Sequence, residues 1–343
     1  MLLALGIAGG ILLLLIFVAT GLCLRSRRIR RDLAAKYPAP GQLVDVGGYY
    51  LHMQCQGDNG SPGDPIVVME AAEFSLSWDL VQAEVAKVAR VCSYDRAGLG
   101  WSERGPRPRT VANIVEELHT LLGAAGVPPP YVLVGHSKGG MFVRLYAHRY
   151  PDEVAGMVLV DAAHEEQEQR FPASIARLNR RARNQTVRLL GLMGRLNRTG
   201  FLAPFLKRYA GRFLGTIPER VREMGLAVVL SDGFFRTVAE ETRSLEEHFA
   251  AVRAAKIRSL GDIPLVVLTA VDQFDALEGQ VPAEEVEQLR AVVRELQAEL
   301  AALSPRGRQV TVRGSGHHIQ IDQPQAVIDA IREVVGAAGQ RAT

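Results

Sequence analysis

The chain has 343 residues, of which 48% are hydrophobic, and its formal net charge at pH 7 is +3. This length allows one large domain or two small ones, with enough apolar residues for a sizeable core. So small a net charge gives no global argument for nucleic-acid binding, and no nucleic-acid partner is predicted. The cysteines, Cys23, Cys55 and Cys92, are too few for a disulfide framework and lack CxxC spacing. They predict neither a redox nor a zinc motif and favour a reducing compartment.

Residues 1–24 contain no charged side chain. As a helix rising roughly 1.5 Å per residue they would exceed the hydrocarbon core of a bilayer, which is roughly 30 Å thick. Five arginines follow between Arg25 and Arg31. A cleaved signal peptide carries its basic residues before the apolar run, so this segment is predicted to be a single-pass transmembrane anchor. The positive-inside rule then places the rest of the chain in the cytoplasm; an atypical signal sequence with an exported domain is the alternative.

Strand and helix patterns alternate beyond a basic linker at residues 25–40, which ends in prolines. A hairpin is predicted to turn at Gly47 and Gly48. Strands are expected at 65–70, 90–95, 131–135, 156–161, 263–271 and 308–314, and helices at 77–89, 110–126, 282–303 and 324–339, with another directly after Ser137. Because continuous apolar strands alternate with helices, we expect an α/β fold with a mostly parallel sheet covered on both faces.

One long stretch, residues 165–258, interrupts this alternation and shows only helical patterns. Between Arg170 and Pro218 it carries eleven Arg or Lys residues and no Asp or Glu. The simplest organisation is one α/β domain formed by residues 41–164 and 259–343, with a helical insertion between its two parts.

The stretch "YVLVGHSKGG" places Ser137 in a G-x-S-x-G motif between a predicted strand and a predicted helix. Small residues two positions before and after the serine permit the sharp turn that projects its Oγ from the sheet edge. The helix N-terminus then faces the point where negative charge would develop. Ser137 is therefore the candidate nucleophile.

A serine nucleophile needs a base, and "GSGHHIQID" supplies the best candidate among eight histidines. A glycine loop after the last predicted strand would return His317 to the serine, with His318 as an exposed neighbour. His136, inside the motif, is expected to pack beneath the turn. The orienting carboxylate is expected at a strand end between serine and histidine, which leaves Asp161 and Asp272 as alternatives.

These stretches resemble the α/β-hydrolase superfamily. "IVVMEAAEFSLSW", "YDRAGLGWS", "GHSKGG", "VAGMVLVDAAH" and "SGHHIQIDQP" stand in the family's order and cover nearly everything from Gly41 to the end. The chain looks most like bacterial serine hydrolases of the esterase/lipase type with a helical cap, so the resemblance implies that residues 165–258 are the cap. Relatives with this style of C-terminal half often lack an aspartate after the later strand, which favours Asp161 over Asp272.

The resemblance also implies that the backbone N–H groups of Glu73 and Lys138 form the oxyanion hole. Two departures from the family accompany them. Ala71 and Ala72 stand where His-Gly or Ala-Gly is usual, and Lys138 stands where an apolar residue is common. Three alternatives remain for Lys138: an ion pair with the Glu73 carboxylate, attraction of an anionic substrate, or a side chain directed to solvent.

The sequence thus predicts a membrane-anchored serine hydrolase of carboxylic esters, without cofactor or metal. Arginine-rich helices beside a membrane anchor suggest a cap lying on anionic lipid and a lipophilic ester as substrate. The alternative for the cap is a solvated basic surface. Acyl transfer to an acceptor other than water is the alternative chemistry. A non-catalytic binding protein of the same fold is the alternative class, for which Ala72 is the warning sign.

Overall fold

The computed structural model describes residues 2–58, 61, 63–213, 219–231 and 233–340. One sheet has the strand order β1-β2-β4-β3-β5-β6-β7-β8, in which β2 pairs antiparallel with β1 and β4 and the other pairs are parallel. The strands are β1 Gln42–Asp45, β2 Tyr50–Gln56, β3 Ile66–Glu70, β4 Val91–Tyr94, β5 Tyr131–His136, β6 Val154–Val160, β7 Leu265–Ala270 and β8 Gly307–Val312. The predicted hairpin and mostly parallel sheet are confirmed.

Helices cover both faces of this sheet, as the apolar strands require. They are α1 Leu2–Lys36, α2 Asp79–Val85, α3 Val111–Ala124, α4 Gly139–Arg149, α5 Gln167–Arg170, α6 Ala173–Thr199, α7 Leu202–Phe213, α8 Glu219–Val229, α9 Phe234–Arg243, α10 Leu245–Ala255, α11 Ala283–Ala301, α12 Ile319–Asp322 and α13 Pro324–Gly339. Along β5, Leu133 packs in one core cluster with residues of α3 and α4, while Val132 and Val134 pack in another with residues of α2 and α13. We call the segment from α5 to α10 the helical insertion.

The apolar N-terminal segment and most of the stretch interpreted as a linker form one helix, α1, which ends at Lys36. Its segment Gly9–Lys36 is long and apolar enough to cross a membrane, by length and composition. The helix continues through the arginines because Arg, Leu and Ala all favour helix and no proline occurs before Pro38.

The C-terminal half of α1 packs against the helical insertion. Ile29 and Leu33 are buried in a cluster with Leu202 and Met224 of α7 and α8. Gly200, which ends α6, has φ of +89°, and a Cβ there would lie 2.6 Å from the Cα of Cys23. Only glycine permits this approach, so the end of α6 lies directly against the last residues of the apolar segment.

A disulfide joins Cys55 of β2 to Cys92 of β4, contrary to the expectation from the cysteine count. The two residues are directly paired in the antiparallel register. Neighbouring antiparallel strands hold such pairs within disulfide range although 37 positions separate them in sequence. The pairing was not visible in the sequence because it depends on the strand order, in which β4 lies between β2 and β3.

Candidate active site

Ser137 lies in the turn between β5 and α4 with φ of 54°, a left-handed conformation that a non-glycine residue adopts at a cost. The flanking glycines have no room for side chains. A Cβ at Gly135 would lie 2.6 Å from Val143, and one at Gly139 would lie 2.6 Å from the carbonyl oxygen of Glu70. The G-x-S-x-G spacing is therefore a packing requirement of this turn.

The structure brings the predicted serine, histidine and first-choice aspartate together. The Nε2 atom of His317 is 2.9 Å from Ser137 Oγ, and its Nδ1 atom is 2.6 Å from Asp161 Oδ2. Asp161 follows β6, and His317 is on the loop between β8 and α12, so both project from the edge of the sheet at which β5 ends. A hydroxyl, an imidazole and a carboxylate in this order form the arrangement that activates a serine nucleophile.

The second aspartate considered from the sequence has a different contact. Asp272 accepts a hydrogen bond from the backbone N–H of Gly314, with 2.6 Å between Oδ2 and N, so it holds the loop that carries His317. Asp161 receives further hydrogen bonds from Ala270 N and Gln273 Nε2, at 3.0 and 2.8 Å. Gln273 is a contact that sequence reasoning did not identify.

The two histidines at the site have opposite pKa shifts. Burial lowers the pKa of His317, but the hydrogen bond and negative charge of Asp161 outweigh it, so the pKa is raised above its usual value. Burial, followed by the nearby positive charge of His317, holds the pKa of His136 well below its usual value. His136 lies beneath the turn, with Nε2 2.9 Å from the carbonyl oxygen of His317. His136 therefore supports the histidine loop in its neutral form.

Lys138 makes an ion pair that none of the three sequence alternatives included. Its Nζ atom is 2.7 Å from Oε2 of Glu241, a residue of α9, and only 13% of the side chain is exposed. The Lys138 side chain is thus neither paired with the Glu73 carboxylate nor directed to solvent. Across the described residues, the backbone N–H groups of Glu73 and Lys138 donate to no protein acceptor, as oxyanion donors require.

A cavity of about 220 Å³ opens beside Ser137. Its lining is mixed: apolar side chains stand beside glutamines, His164 and the three residues of the hydrogen-bonded series, Ser137, His317 and Asp161. The lining includes Phe171, Phe274, Val293, Leu296, Gln167 and Gln273. One wall comes from the helical insertion and the other from α11 and the segment before it, so the insertion contributes to the space next to the serine.

A family model described as "alpha/beta hydrolase fold" matches residues 71–223. It begins at the loop after β3 and includes the turn with Ser137. This chain has the α/β-hydrolase fold. The predicted resemblance to the α/β-hydrolase superfamily is confirmed; a bacterial origin stays a prediction.

Two curated relatives differ in how much of their length the chain covers. The chain is 34% identical over 136 residues to "Probable transporter efuK" of Hormonema carpetanum; the match covers 38% of this chain and only 20% of that protein. It is 28% identical over 299 residues to "Uncharacterized protein YqjL" of Bacillus subtilis, covering 87% and 92% of the two chains. The chain thus spans a minor part of the first relative and nearly all of the second.

Solved structures share the fold at low identity. A thermophilic esterase from Thermogutta terrifontis is 23% identical, with a TM-score of 0.55 over 86% of this chain and 97% of the esterase. The epoxide hydrolase CorEH is 16% identical, with a TM-score of 0.57 over 86% and 97%. Similarity at identities this low establishes a shared fold and leaves the chemistry of this chain to be argued from its own site.

Proposed function

We propose that this protein hydrolyses carboxylic esters through an acyl-enzyme on Ser137. The observation that carries the proposal is the continuous hydrogen-bonded series from Ser137 Oγ through both ring nitrogens of His317 to Asp161. A carboxylate at the serine position would be needed for the attack on carbon that opens epoxides, so the serine favours ester cleavage although an epoxide hydrolase shares the fold.

The reaction would proceed in two stages. His317 takes the proton of Ser137 while Oγ attacks the ester carbonyl, and the oxyanion forms against the N–H groups of Glu73 and Lys138. His317 then donates the proton to the leaving alkoxide, which departs as the alcohol. In the second stage His317 activates water, which attacks the acyl-enzyme and releases the acid. Asp161 holds the imidazole in the required tautomer and stabilises its positive charge.

The cavity beside the serine supports a small acyl group. Its volume of about 220 Å³ is below the range of about 300–1,000 Å³ that is usual for ligand pockets. Phe171 and Leu296 favour an apolar chain. We therefore expect kcat/KM to be higher for butyrate esters than for laurate esters of one alcohol, and the reverse order would require the insertion to open.

A fluorophosphonate probe tests the proposal. We expect it to label the wild-type protein and to leave Ser137→Ala unlabelled. Absence of labelling on folded wild-type protein would overturn the proposal and favour a non-catalytic binding protein. An added alcohol in the assay separates hydrolysis from acyl transfer, because a transferase would pass the acyl group from Ser137 to the alcohol, giving the new ester, faster than water converts the acyl-enzyme to the acid.

We further propose that α1 anchors the protein in a membrane and that the helical insertion contacts the lipid. Leu189 and Leu192 of α6 are each at least half exposed, and Arg188 and Arg195 lie on the same face of the helix as Leu192. Gly200 fixes the end of this helix against Cys23 of the apolar segment. An exposed face with leucines beside arginines is the composition that binds anionic bilayer surfaces.

Reconstituted full-length protein tests this contact. We expect higher kcat/KM toward a lipophilic ester in vesicles containing phosphatidylglycerol than in pure phosphatidylcholine, because each basic residue near an anionic surface contributes about 1 kcal/mol. Replacing Arg188 and Arg195 by Gln should remove the difference, whereas Arg332→Gln on α13 should retain it. Equal kcat/KM in both kinds of vesicle would contradict the lipid contact and favour the alternative, in which the insertion is a solvated basic surface.

The arginines after the apolar segment favour a cytoplasmic catalytic domain. The disulfide between Cys55 and Cys92 favours an oxidising compartment instead. We retain the cytoplasmic orientation as the proposal, in which case the pair is kept as thiols by the cell. Reporter fusions after Lys36 that are active on only one side of the membrane decide between the orientations.

A further inference from the structure

The charged side chains of four residues beside the nucleophile turn have no part in the proposed reaction, to which Lys138 contributes only its backbone N–H. The four residues are Glu70 at the end of β3, Arg96 after β4, Lys138 after Ser137, and Glu241 of α9. Glu70, Arg96 and Glu241 are almost fully buried. Burying charges is unfavourable unless they are paired, so a set of four at one place requires an explanation.

Arg96 connects these charges to the loop after β3. Its guanidinium donates to the carbonyl oxygens of Ala71 and Ala72, at 2.6 and 2.7 Å. It also donates to Oε1 of Glu70 and to both carboxylate oxygens of Glu241, the latter at 3.0 and 2.8 Å. The residue after Ala72 is Glu73, whose N–H is one proposed oxyanion donor, so Arg96 fixes the peptide units that precede this donor.

Glu241 connects the same arginine to the other side of the hole. Its Oε2 atom, which accepts from Arg96, also lies 2.7 Å from Lys138 Nζ. The backbone N–H of Lys138 is the second proposed donor. Glu241 is thus bonded to residues that position each of the two donors, and it is the one member of the set that belongs to the helical insertion.

We propose that Glu241 is a positioning residue that fixes the two oxyanion donors, the N–H groups of Glu73 and Lys138, relative to each other. Through Glu241, the geometry of the oxyanion hole depends on the helical insertion. This inference rests on the proposed function. With both carboxyl groups ionised, the set has two cations, Arg96 and Lys138, and two anions, Glu70 and Glu241. Burial raises the pKa of Glu70 to about 7, so its charge varies near neutral pH. Burial also acts to raise the pKa of Glu241, but the charges of Arg96 and Lys138 outweigh it and hold that pKa far below its usual value. Glu241 is therefore the constant anion of the set, and its removal leaves Lys138 without its carboxylate partner and Arg96 with Glu70 alone.

The test is Glu241→Gln, which keeps the shape of the side chain and removes its charge. Removing an oxyanion donor outright lowers kcat about 10²–10³-fold, so displacing donors is expected to lower kcat about 10–100-fold. KM should change less than about threefold, because Glu241 does not line the cavity beside Ser137. The matched control is Glu240→Gln on the same helix, which loses surface ion pairs with Arg107 and Arg236 and should keep kcat within about twofold.

A tetrahedral inhibitor separates positioning from folding. A trifluoromethyl ketone bearing the preferred acyl group forms an adduct with Ser137 that places its oxygen in the hole. Its inhibition constant should rise in Glu241→Gln by the same factor by which kcat/KM falls. If Glu241→Gln only reduced the amount of folded protein, titration with the inhibitor would count fewer active sites and the inhibition constant would be unchanged. That result would overturn the proposal.

The double variant Glu241→Gln, Lys138→Met provides a second criterion. It removes one anion and one cation and restores the charge balance, while the backbone N–H at position 138 remains. We expect its kcat to exceed that of Glu241→Gln alone. The role of Glu241 would be refuted if the kcat losses of the two single variants simply multiplied in the double variant. It would also be refuted if Glu241→Gln had the wild-type kcat and inhibition constant. Lack of fluorophosphonate labelling in the wild type would instead refute the proposed function itself.

Discussion

The two candidate acids differ in the contacts of single atoms. Asp161 Oδ2 lies 2.6 Å from His317 Nδ1, whereas Asp272 bonds a backbone N–H in the histidine loop. We expect Asp161→Asn to lower kcat by about 10³–10⁴-fold, because the amide favours the wrong imidazole tautomer. Asp272→Asn should lower it less than about tenfold, since that change loses one loop contact. Ester hydrolysis by both purified variants is the measurement, and the opposite ranking would exchange their roles.

The raised pKa of His317 gives a pH dependence with a definite sign. The base must be neutral to accept the serine proton, and Asp161 stabilises its charged form. Activity should therefore be full at alkaline pH and fall about tenfold per pH unit below a midpoint above 6.5, the ordinary value. A kcat/KM profile between about pH 5 and 9 measures this. His318→Gln should retain the same acidic limb, and a flat profile would exclude His317 as the base.

Sequence patterns were better at identifying the candidate residues of the site than at identifying the ion pairs of the residues beside them. Ser137 and His317 stand in glycine-rich turns whose spacing reports backbone geometry, so their encounter was predictable. The Lys138 to Glu241 pair was not, because the glutamate lies 103 positions further along the chain in a separate helix. A signal was nevertheless present. Glu241 falls seven residues after buried Phe234, on the same face of α9, where a charged residue needs a buried partner.

The first turn of α4 has little tolerance for a larger side chain. A Cβ at Gly140 would lie 2.4 Å from the Cβ of Ala162, which follows β6. Gly140→Ala is expected to lower the free energy of unfolding by about 1–3 kcal/mol through this overlap. Gly123→Ala in α3 is the control, because no atom lies within 4 Å of its added Cβ, and it should be neutral or stabilising. Denaturant unfolding of both variants is the measurement, and equal effects would contradict the packing argument.

The order of strands and helices followed from apolar periodicity, and element ends agree because glycines and prolines mark them. Thr110, expected to open α3, accepts a hydrogen bond from the N–H of Asn113 at the start of that helix. The extension of α1 through the arginines was missed, because exposed arginines favour a helix as readily as a solvated linker. Its buried face, with Ile29 and Leu33, becomes recognisable only once the insertion packs on it.

For the whole molecule, the link between Cys55 and Cys92 ties the antiparallel β2 to the parallel part of the sheet. Closing a loop of this size in the unfolded chain is worth about 3–4 kcal/mol, so reduction should lower the free energy of unfolding by about that amount. Unfolding with and without reductant measures the effect. A Cys55→Ala, Cys92→Ala variant should be insensitive to reductant, and a wild type equally insensitive would show that the thiols are not joined.

The uninterrupted helix α1 has a consequence for how the protein meets its surroundings. Ile29 and Leu33 are buried among insertion residues, and Gly200 admits no side chain against Cys23, so the apolar segment packs directly on the same insertion that supplies one wall of the cavity beside Ser137. If α1 spans a bilayer as proposed, its tilt would be passed on to the insertion through these contacts. Bilayer thickness, which governs helix tilt, would then be a variable to which the proposed ester hydrolysis responds.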